Sequence, residues 1–135
     1  MPHNLVLPKY RLEVADECLR AAKSLLQDEN FRNSAGRSYY CVFHAMRAVL
    51  ALEDLDFKKH SGVIAHFRQH YILLGKFGEH GKKLSKIIDD LFKVRGKSDY
   101  DDFYVISKAS VKEQVENAEF FLGEVKAFLE TQGVK

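Results

Sequence analysis

Proline is almost missing from this chain, and its absence governs what the chain can fold into. Both prolines, Pro2 and Pro8, lie near the N-terminus, so the strongest helix breaker is absent from everything that follows. Cysteine is nearly as scarce. Cys18 and Cys41 lie within apolar helical patterns, and we expect both to be buried free thiols. The scarcity of proline favours long helices.

Long apolar runs are also missing. No stretch approaches the roughly 18 apolar residues that a membrane-spanning helix needs, and Met1 to Tyr10 has no apolar segment of the secretory type. A chain of 135 residues is long enough to bury a hydrophobic core without disulfides or metals. We therefore predict one cytoplasmic domain over residues 1–135, with its core at about 9–131 and no membrane partner.

Apolar residues recur at three- and four-residue steps in five stretches, and no stretch alternates as a strand does. The predicted helices cover residues 9–28, 34–53, 61–74, 82–97 and 110–131. Asn33 or Ser34 could cap the second helix, and Ser110-Val-Lys-Glu113 fits the capping box of the last. Because the links are short, we predict an all-α, up-down bundle of four main helices and a shorter one, with the second helix most buried.

The net charge of +2 conceals a strong asymmetry. Residues 57–97 contain ten Lys or Arg but only three Asp or Glu, which gives this stretch +7 and leaves −5 for the rest. Four of the six histidines fall in the same stretch. This pattern permits an anionic partner such as RNA or a nucleotide, although acidic helices nearby could equally balance a solvated surface.

Two histidine-containing patterns on helices could carry chemistry. Arg37, Tyr40 and His44 share one face of the second helix, either as a binding surface or as polar groups at the edge of the core. His66 and His70 share a face of the third, where two imidazoles could bind a metal. No glutamate or cysteine completes a recognisable zinc pattern, so we predict neither a metal nor a cofactor.

The segment Arg95-Gly-Lys-Ser-Asp-Tyr100 is predicted to follow the fourth helix, with residues 99–104 forming an acidic, aromatic turn. An arginine can bind a phosphate through two parallel hydrogen bonds. Asp99 could orient that arginine or act as a base, and Tyr100 offers a hydroxyl and a stacking face. The alternative is an ion pair between Arg95 and Asp99 at the helix end.

Three stretches together resemble one family. They are Arg37-Ser-Tyr-Tyr-Cys-Val-Phe-His-Ala45, Lys59-His-Ser-Gly-Val-Ile64 with Phe67, and Arg95-Gly-Lys-Ser-Asp-Tyr100. In this order and spacing they resemble the HEPN domain, particularly its small stand-alone prokaryotic branch. The resemblance implies a dimeric helical bundle that is often paired with a minimal nucleotidyltransferase in a toxin–antitoxin-like module. It also implies, for many members, metal-independent RNA cleavage by an Arg-x4–6-His motif.

This sequence departs from that motif because no histidine follows Arg95 at a permitted distance. Arg37-x6-His44 has the spacing but lies on the second helix. We therefore expect a nucleotide- or RNA-binding partner of a nucleotidyltransferase, with Tyr100 or Tyr104 as the possible target of nucleotide transfer. The expected phosphate-binding residues are Arg95, Lys97, Arg37, His44, Lys59 and His60.

Two alternatives to this reading stay open. One is a metal-independent endoribonuclease toxin centred on Arg95, with Asp99, Tyr100 or His44 assisting at a dimer interface. The other is a scaffold bundle in which Arg95 is engaged in an internal ion pair.

Overall fold

The computed structural model describes residues 5–100 and 105–134, and of residues 97–100 it describes only the backbone. Within these ranges the chain forms five helices and no strand: α1 Val6–Gln27, α2 Phe31–Leu50, α3 His60–Phe67, α4 Gly81–Tyr100 and α5 Lys108–Thr131. A 3-10 turn, Ala51–Glu53, extends α2, and a π-helical turn, Arg68–Ile72, continues α3. The all-α bundle is confirmed.

Helix α2 lies at the centre of the bundle and contacts each of the other four helices. Its many small and branched side chains are buried, and one hydrophobic cluster joins it to apolar residues of the other helices. Phe67 and Phe121 are the largest fully buried side chains of that cluster. The prediction that the second helix is the most buried is consistent with this position.

The starts of α1 and α2 were predicted too late. Helix α1 begins at Val6, with Pro8 in its first turn, where a missing N–H costs little because the first N–H groups have no partner within the helix. Helix α2 begins at Phe31, so neither Asn33 nor Ser34 is its cap. Ser34 is buried one turn inside α2, and its hydroxyl donates to the Ala22 carbonyl of α1 over 2.7 Å.

The boundary between α4 and α5 also differs from the prediction. Helix α4 continues through Gly96 to Tyr100, so the Arg95–Tyr100 segment belongs to the helix rather than following it. Helix α5 begins at Lys108, and Ser107 caps it by accepting a hydrogen bond from the Ser110 N–H over 3.1 Å. The capping box predicted at Ser110 is therefore wrong by one turn.

The apolar spacing of the fourth helix predicts a buried face made of Leu84, Ile87, Ile88, Leu91, Phe92 and Val94. Phe92 departs from this prediction, because it is 47% exposed on α4, although its ring still lies 6.2 Å from that of Tyr39. The other five residues are buried or half-buried. Phe92 is one helical turn before Arg95, which places an apolar ring at the rim of the polar site described next.

Candidate functional site at Arg95

Two adjacent tyrosines of α2 form the floor of the site. Tyr39 is only 3% exposed, whereas Tyr40 is half-buried, because successive residues of a helix point about 100° apart. Their rings meet edge to face with centroids 5.3 Å apart, a favourable geometry for two aromatic rings. Both rings are therefore held in the middle of α2, beside Arg95 of α4.

Arg95 of α4 packs over these two rings. Its guanidinium carbon lies 4.9 Å from the Tyr39 centroid and 5.3 Å from the Tyr40 centroid, within the range of cation–π attraction. Its Nη2 atom also donates a hydrogen bond to the Tyr40 hydroxyl over 3.1 Å. The guanidinium is half-buried and oriented by α2, which favours recognition of an anion in one geometry.

His60, the first residue of α3, meets the same rings from another side. Its Nδ1 atom and the Tyr39 hydroxyl are hydrogen-bonded over 2.9 Å, and its ring lies 4.0 Å from that of Phe43. Burial, then the positive charges of Arg95 and Arg47, lower the pKa of His60. The imidazole is therefore neutral at pH 7 and able to exchange a proton.

Gly62, two residues after His60, lets Phe57 pack closely against the start of α3. A Cβ atom at this position would lie 3.0 Å from three side-chain atoms of Phe57, which is tighter than nine in ten real Cβ contacts. The missing side chain lets the link before α3 fold against the first turn of the helix. The Lys59-His-Ser-Gly62 sequence thus has a structural cause, with the glycine admitting Phe57 beside the site.

His44 lies one turn beyond Tyr40, with the two ring centroids 6.0 Å apart. Burial, followed by nearby positive charges of which Arg47 is the largest, lowers the pKa of His44 to about 4. Its Nδ1 atom lies 3.4 Å from Nη1 of Arg47. The imidazole stays neutral through the physiological range, so it can accept a hydrogen bond but is poorly suited to proton transfer near pH 7.

A salt-bridged cluster lies at the C-terminal end of α2. Asp56 accepts hydrogen bonds from Nη2 of Arg47 at 2.9 Å and from Nη2 of Arg11 at 3.3 Å. Arg11 is almost fully buried and also donates to the Arg47 carbonyl over 3.0 Å. These contacts hold the link between α2 and α3 in place, and this link leads directly to His60 at the start of α3. Sequence reasoning missed all three residues, which are distant in sequence and carry no motif.

The predicted site residues fall into three groups. Arg37, His44, His60 and Arg95 are brought together around the two tyrosines, Arg37 being exposed with its guanidinium 5.9 Å from the Tyr40 ring. Lys59 is exposed immediately before α3. The side chains of Lys97, Asp99 and Tyr100, and all of Tyr104, lie outside the described residues.

His66 and His70 lie in a separate place. Their rings stack with centroids 4.1 Å apart, and Nε2 of His66 lies 3.1 Å from a carboxylate oxygen of Glu53. The same carboxylate accepts a hydrogen bond from the Tyr71 hydroxyl. Over residues 5–100 and 105–134, excluding the undescribed side chains, no group of three or more His, Cys, Asp or Glu is arranged to hold a metal.

The fold is an all-α bundle, and its candidate site holds an arginine over aromatic rings beside a neutral histidine. Together they define a class of small helical-bundle proteins with an anion-binding type of site. The chain matches the HEPN domain family over residues 8–128, and it belongs to that family. Over the same described ranges, no helix is both long enough and apolar enough to cross a bilayer.

Individual relatives are also similar to this chain over most of its length. A UPF0332 protein of Thermotoga maritima is 34% identical over 116 residues, which cover 86% of each chain. Two proteins of Methanocaldococcus jannaschii, both named as candidate toxins, are 36% and 28% identical. The first of these matches covers 66% of this chain and 64% of the relative, and the second covers 91% and 82%. The protein is thus a member of the HEPN family that is similar to UPF0332 proteins and to proteins named as candidate toxins.

Proposed function

We propose that the protein binds RNA or a nucleotide at the Arg95 site and acts with a minimal nucleotidyltransferase in a toxin–antitoxin-like module. The observation that carries the binding proposal is the guanidinium of Arg95 lying over Tyr39 and Tyr40. A nucleotide carries both an anionic phosphate and a flat base. The guanidinium can bind the phosphate, and the half-buried ring of Tyr40 can contact the base.

The charge around the site supports an anionic ligand. Arg37 approaches the Tyr40 ring from α2, and Lys59 is exposed next to His60. The carboxylate of Asp56, three residues before Lys59, already accepts hydrogen bonds from Arg11 and Arg47. A phosphate approaching Arg95 therefore meets positive charge from α2 and from the start of α3.

Binding is tested by fluorescence anisotropy with a labelled single-stranded RNA and with nucleotides, each at two salt concentrations. We expect Arg95→Ala to weaken binding by at least about tenfold, since it removes a charge-assisted contact. Lys82→Ala, at the opposite end of α4, removes the same charge and serves as the control. Equal loss in both variants would show that only the general positive charge binds RNA, and no binding by the wild type would reject the proposal.

The proposed nucleotidyltransferase partnership rests on the resemblance to paired HEPN proteins and on the relatives named as candidate toxins. In the expected reaction a tyrosine hydroxyl attacks the α-phosphorus of a nucleoside triphosphate and pyrophosphate leaves. Tyr100 and Tyr104 are the proposed acceptors. Co-expression with a neighbouring nucleotidyltransferase should add one nucleotidyl group by mass spectrometry, and Tyr100→Phe with Tyr104→Phe should abolish the addition.

The second candidate function is metal-independent cleavage of RNA, and the structure provides an observation that favours it. The sequence has no histidine in the expected place after Arg95, but His60 lies against the same two tyrosine rings as Arg95. Cleavage of mixed-sequence RNA in excess EDTA, lost in Arg95→Ala, tests this function. Light scattering on the purified protein tests the proposed homodimer in which two such sites would face each other.

A further inference from the structure

The Arg95 site contains a proton-transfer group that comes from another part of the chain. Arg95 and His60 are 35 positions apart in sequence, yet Tyr39 and Tyr40 contact both of them. The ring centroids of His60 lie 5.9 Å from Tyr39 and 6.0 Å from Tyr40. The guanidinium of Arg95 and the imidazole of His60 therefore lie next to the same two tyrosine rings. A phosphate-binding group and a proton-transfer group that act on one phosphodiester must be neighbours in this way.

We propose that His60, positioned by Tyr39, is the catalytic acid–base residue of RNA cleavage at this site, replacing the histidine that is missing downstream of Arg95. This inference rests on the second candidate function, RNA cleavage, and identifies the residue that performs it. His60 is the catalytic residue in this proposal, and Tyr39 is a positioning residue that acts through it.

The hydrogen bond between Tyr39 and His60 can select the useful form of the imidazole. When the Nδ1–H group of His60 donates to the Tyr39 hydroxyl oxygen, Nε2 keeps its lone pair and can accept a proton. Burial, the largest cause, raises the pKa of Tyr39 to about 12, so its hydroxyl stays neutral. A neutral partner orients the imidazole without adding a negative charge that would repel RNA.

The groups around His60 also favour its neutral form. Tyr39, Tyr40 and His44 approach from α2 together with Arg47, and Arg95 approaches from α4. Both arginines favour the neutral imidazole. His60 is thus mainly in its basic form at pH 7, whereas His44, with a pKa of about 4, titrates too low to exchange protons efficiently at this pH.

The reaction follows from these roles. Nε2 of His60 takes the proton of an RNA 2′-hydroxyl, and the 2′-oxygen forms a bond to the adjacent phosphorus. The bond from phosphorus to the 5′-oxygen breaks, and that oxygen takes a proton from water while the imidazolium returns its proton to solvent. The products are a 2′,3′-cyclic phosphate and a 5′-hydroxyl end. Arg95 stabilises the charge that develops on the phosphate oxygens.

The test compares His60→Gln with His80→Gln in the full-length protein. His80 lies on the 3-10 turn before α4 and pairs with Glu124, so it is a histidine outside the site. Cleavage of mixed-sequence RNA is followed in EDTA, and affinity is measured separately with a 2′-O-methyl RNA that cannot be cleaved. We expect His60→Gln to slow cleavage at least about 100-fold while affinity changes less than about threefold, and His80→Gln to behave as the wild type.

Tyr39→Phe tests the positioning role. We expect a lower kcat, little change in KM and a displaced acidic limb of the pH–rate profile, because the ring keeps its packing but no longer fixes the tautomer. A thermal unfolding curve checks each variant, and His60→Asn is a second substitution if the glutamine variant is unstable. A product with a 2′,3′-cyclic phosphate end supports the mechanism.

The outcomes separate this inference from the proposed function. If the wild type binds RNA but does not cleave it, or if His60→Gln cleaves within about threefold of the wild type, the role of His60 is rejected while RNA binding stands. If the wild type neither binds nor cleaves RNA, both proposals fail. If cleavage persists in Arg95→Ala but is lost in His60→Gln, the catalytic role of His60 stands, and phosphate binding by Arg95 is rejected.

Discussion

Nη2 of Arg95 donates a hydrogen bond to the Tyr40 hydroxyl over 3.1 Å, and thereby joins two residues 55 positions apart in sequence. The contact couples the central helix α2 to the far part of α4. It also orients the guanidinium over the Tyr39 and Tyr40 rings. The Tyr40 hydroxyl therefore helps to set the geometry of the proposed phosphate-binding group.

Removing that hydroxyl should weaken ligand binding while leaving the fold intact. Tyr40→Phe keeps the ring but takes away the acceptor, so we expect the affinity for RNA or nucleotide to fall by about three- to tenfold. The free energy of unfolding should change by less than about 1 kcal/mol. Tyr10→Phe, on a tyrosine that is 61% exposed, is the control for anisotropy and urea unfolding. An equal effect in both variants would contradict the role of the Tyr40 hydroxyl.

The stability of the protein should fall as the pH drops from 7 to 5, and His44 should cause much of the loss. Its pKa of about 4 in the folded state is below the value of about 6.5 expected in the unfolded chain. Between these values the unfolded state binds more protons, so stability is lost as the pH falls, and His44 alone accounts for about 2 kcal/mol by pH 5.

Urea unfolding at pH 7 and pH 5 measures this effect. His44→Gln should reduce the difference between the two pH values. The lowered pKa of His60 acts in the same direction, so part of the pH dependence should remain in His44→Gln. A difference identical to that of the wild type would show that His44 is already accessible to protons in the folded state.

Asp56 should matter to stability more than an ordinary surface acid. Asp56→Ala leaves Arg11, whose side chain is 9% exposed, without its carboxylate partner, and we expect a loss of about 2 kcal/mol. Glu119→Ala breaks the pair with Lys23, in which both side chains are about half exposed, and should cost less than about 0.5 kcal/mol. Urea unfolding of the two variants at pH 7 compares these costs, and equal values would disprove the distinction.

The start of α5 offers a direct comparison of sequence and structure. Because Ser107 caps the helix, Ser107→Ala should destabilise the protein by about 1 kcal/mol. Glu113→Ala, which the sequence-based capping box would make costly, should change stability by less than about 0.5 kcal/mol. If thermal or urea unfolding shows that Glu113→Ala costs more stability than Ser107→Ala, the capping box at Ser110 is correct after all.

The helices could be predicted because the apolar period repeats over many residues in each of them. Their ends could not, because the choice between neighbouring candidate caps depends on packing. Ser34 looked like a cap, but its hydroxyl donates to the Ala22 carbonyl of the adjacent helix, a partner that no local pattern reveals. Ser107 and Ser110 both have the right chemistry, and only the position of the helix decides between them.

The site was predicted in part. Arg37, His44, His60 and Arg95 were each chosen from sequence, and the structure places all four around the tyrosines of α2. What could not be predicted is the proximity of His60 to Arg95, because it arises from the way α3 and α4 pack on α2. The Arg-x4–6-His motif places its histidine after the arginine, whereas the imidazole near Arg95 precedes it in the sequence.

Helix α2 carries the core and the site on neighbouring residues, and this limits how the protein can diversify. Tyr39 and Ser38 are buried, whereas Arg37, Tyr40 and His44 reach the surface between them. A lineage that acquires a new ligand can change this narrow strip without altering the buried core. A saturation library of α2, scored separately for abundance and for RNA binding, should show two interleaved patterns of tolerance with a helical repeat.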